Sequence, residues 1–187
     1  RSGGTLYQLN NEKGQRPKIV QHTNLMSNDI FSCVLVGKHL FGFDLKDVQA
    51  KLHRPSRGTF RCLEFPALKP LWETDLVGHT TVLAADGKLI LFNDQGELIL
   101  ARADGKAYQE LARAEVLTGE ICWTQPALFR GRLYLRNQTQ AVCLYLGSAE
   151  LSPPRNRITV ADIPQKSYYD LAQFLGVEPE FAFDIPS

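Results

Sequence analysis

The sequence predicts an all-β chain of four-stranded antiparallel blades, a β-propeller or part of one, with a short C-terminal helix. Three observations carry this. The first is a recurring apolar run, glycine-containing turn and second apolar run, which is the sequence form of a tight hairpin. It reads Val82-Leu83-Ala84-Ala85 before Gly87-Lys88-Leu89-Ile90-Leu91-Phe92, and Ala127-Leu128-Phe129 before Gly131-Arg132-Leu133-Tyr134-Leu135. An earlier copy is Val34-Leu35-Val36 before Lys38-His39-Leu40-Phe41-Gly42-Phe43. The second is a Gly-x-Leu element some residues after each hairpin, and the third is the spacing. The unit recurs at intervals of roughly 38 to 54 residues, the range of propeller blades. No sustained 3.6-residue apolar period competes with it, so stacked helix pairs are excluded.

In chain order, residues 4–26 read as half a blade, supplying only third and fourth strands through Gly4-Thr5-Leu6-Tyr7-Gln8-Leu9 and Val20-Gln21-His22-Thr23-Asn24-Leu25. Residues 28–76 and 78–117 read as full blades. Their third strands are Gly58-Thr59-Phe60-Arg61-Cys62-Leu63 and Gly96-Glu97-Leu98-Ile99-Leu100-Ala101. Glycine permits the turn angles and the following apolar residues suit a strand. The fourth strands are Leu71-Trp72-Glu73-Thr74-Asp75-Leu76 and the looser Tyr108-Gln109-Glu110-Leu111-Ala112. Propensity alone allows helix for the latter, and its place in the repeat makes it strand. A last blade spans 121–161, with Thr139-Gln140-Ala141-Val142-Cys143-Leu144 as third strand and 157–161 as its outer strand.

Two stretches interrupt the pattern. Leu45 to Arg57 is a charged insertion that reads as a solvated loop. Residues 1–150 hold the blades, and 151–187 form an extension that opens with the breaker-rich Leu151-Ser152-Pro153-Pro154-Arg155-Asn156. A short helix is expected near 167–175, capped by Ser167, stopped by Gly176, with Tyr168, Leu171, Phe174 and Leu175 on one face. Phe181 and Phe183 alternate in a last extended piece.

The 187 residues carry 21 Lys+Arg against 20 Asp+Glu, so no net field favours nucleic acid or an acidic membrane surface. No apolar stretch is long enough for a membrane helix. Cys33, Cys62, Cys122 and Cys143 lie apart in apolar stretches, as buried free thiols that act as small hydrophobes, with a disulfide still open. His22, His39, His53 and His79 share no metal-ligand spacing, so metal ligation is not expected. Asn137-Gln138-Thr139 is formally a glycosylation triplet, placed in a tight turn. No phosphate loop, catalytic triad or catalytic carboxylate pair can be picked out, and the catalytic residues are unassigned.

The Gly-Lys-Leu and Gly-Arg-Leu hairpins, the Gly-x-Leu third strands and Asp104-Gly105-Lys106 before a fourth strand resemble the pyrroloquinoline-quinone-type propeller repeat. That repeat occurs in quinoprotein alcohol dehydrogenases and in cofactor-free bacterial proteins such as the outer-membrane assembly lipoprotein. The resemblance covers residues 4 to 147 and leans towards the cofactor-free members. It implies that Trp72, late in a fourth strand, docks one blade on the next, with Tyr108 substituting in the following blade and Gln21 in the half-blade. The quinone site of the dehydrogenases needs adjacent cysteines, a tryptophan and calcium ligands, which have no counterpart here, so no cofactor is expected. Trp123 begins a first strand and is the candidate contact for a ligand in the central channel. The expected function is a non-catalytic scaffold that binds a protein or peptide, in a periplasmic or otherwise extracytoplasmic setting. A carbohydrate- or small-ligand-binding propeller and a piece of a quinone-and-calcium-dependent oxidoreductase are the alternatives. The half-blade needs two more strands, from sequence ahead of Arg1 or from the C-terminal tail, and the former is favoured. An open fan of blades is expected to associate with itself through its edges.

Overall fold

The computed structural model describes residues 3–10, 14–28, 31–47 and 56–146, with the backbone of 158–159. All regular structure in these residues is antiparallel strand, and they contain no helix. The helix expected near 167–175 and the linker at 151–156 lie outside the described residues. Strands β1 (Gly4–Gln8) and β2 (Lys18–Thr23) pair as a two-stranded sheet. The second sheet is β3 (Val34–Val36), β4 (His39–Asp47), β5 (Arg57–Glu64) and β6 (Lys69–Thr74). The third is β7 (Thr80–Ala85), β8 (Lys88–Asn93), β9 (Glu97–Arg102) and β10 (Glu110–Glu115). The fourth is β11 (Ala127–Phe129), β12 (Arg132–Arg136), β13 (Gln140–Tyr145) and β14 (Ile158–Thr159). In each sheet the spatial order of the strands follows the chain order.

The turns explain the repeating motif. Between β7 and β8, Asp86 and Gly87 have φ of 48° and 70°, and between β11 and β12, Arg130 and Gly131 have 48° and 74°. Two successive positive φ angles make the two-residue turn whose twist matches antiparallel strands, and glycine takes them at least cost.

Alternation in the second strands then stacks the sheets. Leu40, Leu89 and Leu133 occupy equivalent positions, opposite Leu35, Ala84 and Leu128. Each points to the sheet before its own. Leu40 packs with Leu63 and Met26 near Leu6, Leu89 joins Phe41 and Phe60, and Leu133 joins Ile90 and Phe92. Their neighbours Phe41 and Phe43, or Ile90 and Phe92, point to the sheet after. The period of two in a strand requires this once both faces are covered.

Trp72 on β6 sits between the second and third sheets. Its ring lies 5.8 Å from Phe41, 6.0 Å from Phe60 and 5.9 Å from Tyr108, and Nε1 donates to the Asp104 carbonyl at 2.7 Å. Tyr108 therefore packs back against Trp72 in the same interface, not forward onto the fourth sheet. The reason is that Tyr108 precedes β10, in the connection that meets Trp72. Three further boundaries differ from the sequence reading. β10 is a strand as expected but starts at Glu110, not Tyr108. β4 continues to Asp47 and β5 starts at Arg57, so the ends of the insertion are paired strand. Trp123 precedes β11 by four residues and belongs to a connection.

Trp72→Ala is expected to cost about 3 kcal/mol, because truncating a packed aromatic leaves a cavity in the interface. Trp72→Phe, which keeps a ring but loses the bond to Asp104, is expected to cost about 1 kcal/mol. Urea denaturation of the two variants checks both, and equal losses would show that the hydrogen bond, not the packing, dominates.

Candidate functional site

Four residues beyond Leu40, Leu89 and Leu133 stand Asp44, Asn93 and Asn137, all buried. Asp44 lies within β4, opposite Thr59, whereas at Asn93 and Asn137 the chain turns, and the side chain supplies hydrogen bonds that the ladder cannot. Asn93 Oδ1 accepts from the Gln95 and Glu97 amides at 3.1 and 3.0 Å, and Nδ2 donates to the Val77 carbonyl at 3.1 Å. Asn137 Oδ1 accepts from the Thr139 and Gln140 amides at 2.9 and 2.7 Å, while its Nδ2, the nitrogen of the formal glycosylation triplet, is buried without a hydrogen-bond partner among the described residues. At Gly96, φ is 85° and any Cβ would run into the Leu117 carbonyl, so only glycine fits that turn.

Asp44 anchors a denser network. Its carboxylate accepts from Arg61 Nη1 and from Ser27 Oγ, each at 2.6 Å. Arg61 also donates through Nη1 to the Leu25 carbonyl at 2.8 Å and through Nε to Glu73 at 2.8 Å. Burial alone would lower the Arg61 pKa. The hydrogen bonds to Asp44 and Glu73 outweigh it and hold the guanidinium charged. This pair ties the connection after β2 to the second sheet.

Beside it opens a groove of about 600 Å3 at the same end of the sheets. Its walls include Lys46, Ser56, Arg57, Glu73, Asp75 and Gly78, so they carry both signs of charge. Arg57 is bonded to Asp47 at 2.7 Å. The groove presents hydrogen-bond donors and acceptors on a rigid base, which suits polar recognition. Glu73, on the groove wall, accepts from Arg61 Nε at 2.8 Å.

Sequence reasoning missed this end because Asp44, Arg61 and Asn93 look like solvated residues at strand ends. The available signal was the fixed offset of Asp44, Asn93 and Asn137 from the leucine column. Of the residues singled out from sequence, Trp72 and Tyr108 meet in the sheet interface. Trp123 is 42% exposed and lines neither the groove nor that interface. His79 is buried between the rings of Phe31 and Phe43, at 5.2 and 5.1 Å. His22 shares hydrogen bonds with Thr5 and Asn24, and His39 lies against Gly105. His53 is outside the described residues.

The four cysteines are free, with Cys62 and Cys122 buried, Cys143 half-buried and Cys33 exposed, the last contrary to its apolar neighbours. Burial first, and the charge of Asp104 second, push the Cys62 thiol up to about 12. Burial and Asp94 take Cys122 to about 11. Neither is a thiolate nucleophile at neutral pH. The cysteines stand on separate elements, and no three His, Cys, Asp or Glu side chains converge among the described residues. Comparison of the sequence with protein-family models and with curated proteins finds no match.

Two outcomes are expected. Arg61→Met should cost about 3–5 kcal/mol, because Asp44 is left buried without its partner, and adding Asp44→Leu should recover much of it. A double-mutant cycle in urea measures this. The Cys62 contribution to stability is complete below pH 9 and is lost between pH 9.0 and about 12, where only the unfolded thiol ionises. Melting temperature should fall across that interval, and Cys62→Val should flatten the fall.

Proposed function

We propose that this chain is a non-catalytic binding scaffold of the quinoprotein-like repeat propeller type, its four-stranded sheets serving as blades. Its ligand is a protein or peptide, held at the polar end of the sheets. The observation that supports this most is the groove beside the buried Arg61–Asp44 ion pair, whose walls carry both signs of charge. Such a pair fixes rotamers, so binding there orders few side chains and loses little entropy. Mixed charge favours a polypeptide with alternating charges over a uniformly anionic polymer. No helix among the described residues is long and apolar enough to cross a membrane. The resemblance of the repeat supports a periplasmic, extracytoplasmic setting.

Selection from a displayed random-peptide library tests the reading. Binders should carry both signs of charge, and Lys46→Glu with Asp75→Lys should weaken them by about tenfold or more without lowering the melting temperature. Quinone with calcium, and a panel of sugars, should leave the melting temperature unchanged. A saturable rise with either, or peptides indifferent to the groove variant, would overturn it.

A further inference from the structure

We propose that the interface between the third and fourth sheets holds a binding site for a small neutral aromatic molecule of indole size, at the position that Trp72 fills one interface earlier. Trp72 lies opposite Cys62, which stands four residues beyond Gly58. Ala112 lies opposite Leu100, four residues beyond Gly96. Each pairing also skips the residue just before, Leu71 in one and Leu111 in the other. Ala112 therefore stands where the second sheet carries its indole.

The surroundings correspond as well. Trp72 packs on Phe41 and Phe60. Their equivalents are Ile90, which follows Leu89 as Phe41 follows Leu40, and Leu98, two residues beyond Gly96 as Phe60 is beyond Gly58. Across the interface Ala103 packs on the same cluster as Trp72, and Leu146 takes its place in the fourth sheet. Both donate a backbone amide to a turn glycine, Ala103 to the Gly87 carbonyl at 3.0 Å and Leu146 to the Gly131 carbonyl at 2.7 Å. Three rings thus give way to Ile90, Leu98 and Ala112. What they leave is a cavity of about 200 Å3 lined by Ile90, Leu98, Leu100, Ala112, Ala114 and Leu146.

Its walls suit an uncharged ring. Ala112 and Ala114 lie opposite Leu100 and Leu98 and share their face. Arg113, between them, turns to the other face, where it bonds Glu97, Glu110 and the Leu76 carbonyl, so its charge stays out of the cavity. Phe60 and Cys62 are fully buried beneath Trp72, whereas Leu98 and Leu100 are half-buried and Leu146 is exposed, so a ligand reaches them from solvent. Protein interiors pack to crystal density, and an apolar gap costs stability until something fills it. A cavity of about 150 Å3 holds a benzene ring, so this one takes a fused pair of rings. It is smaller than the pockets of about 300–1,000 Å3 that hold larger ligands.

None of these residues lines the polar groove, so binding at the two places succeeds or fails independently. Titration of the intact protein with indole, followed through the methyl resonances of Leu98, Leu100 and Leu146, tests the site. Saturable shifts are expected there, and their absence would overturn the proposal. Ala112→Trp supplies the ring from the chain itself. It should weaken indole binding at least tenfold and raise the melting temperature by about 2–4 °C. Ala112→Leu fills less of the cavity and gives the same comparison should the tryptophan variant fold poorly. Indole binding unchanged by both would overturn the proposal. N-acetyltryptophanamide, the same ring on a peptide backbone, should bind more weakly than indole. Equal or tighter binding would overturn the small-molecule assignment in favour of a partner's tryptophan.

Discussion

A strand that buries both its faces is the constraint on which this structure depends. In β8, Leu89 and Leu91 pack towards the preceding sheet while Ile90 and Phe92 pack towards the following one. Four fully buried apolar side chains at about 2 kcal/mol each give on the order of 8 kcal/mol. That is comparable to the whole net stability of a domain. Separating the third sheet from its neighbours would therefore expose a core of that size. Trp72 adds a directional contact to this stack, because its indole N–H fixes the connection at Asp104.

A two-faced apolar strand has to end somewhere, and it ends in a polar residue. Asn93 and Asn137 are buried because the turn after the second strand lies within the stack, and their side-chain oxygens fix that turn by accepting backbone amides. Asp44 is buried within β4, where Arg61 accompanies its charge. The ion pair adds little net stability over an apolar pair of similar shape. It gives the groove beside it side chains held in one arrangement.

The strands were legible in the sequence because glycine turns and apolar alternation are local properties. The equivalence of Leu40, Leu89 and Leu133 follows from the same alternation. Trp72 was legible as a packed residue because a large aromatic in a strand has few other places to go. Tyr108 was not, since its direction depends on where β10 begins, and a connecting residue obeys no period. The start of the strand after Trp123 was missed for the same reason. Arg61 reads as solvated when its partner, seventeen positions away, is not known to be opposite its strand. The thiols show the other side of this. Cys62 and Cys122 sit in apolar runs and are buried, whereas Cys33 sits in a similar run just ahead of a three-residue strand and is exposed.

The placement of recognition at the polar end follows from what the rest of the surface is used for. The faces of the second and third sheets are taken up by stacking. The outer edges at β6 and β10 carry proline and charges that oppose strand addition. At the opposite end of the sheets, the two-residue turns Asp86-Gly87 and Arg130-Gly131 leave no room for a binding loop, and the connection between β9 and β10 carries Tyr108, which packs against Trp72. The end near Asp44, Asn93 and Asn137 has the connections between β4 and β5, β6 and β7, and β10 and β11. Long connections on a rigid base can vary without disturbing the stack, which is why binding residues collect on them. Arg113 shows that the base reaches the second of these connections, since it bonds to the Leu76 carbonyl at 3.0 Å while paired with Glu97 and Glu110. The groove thus stands where the fold leaves both the space and the support for a partner.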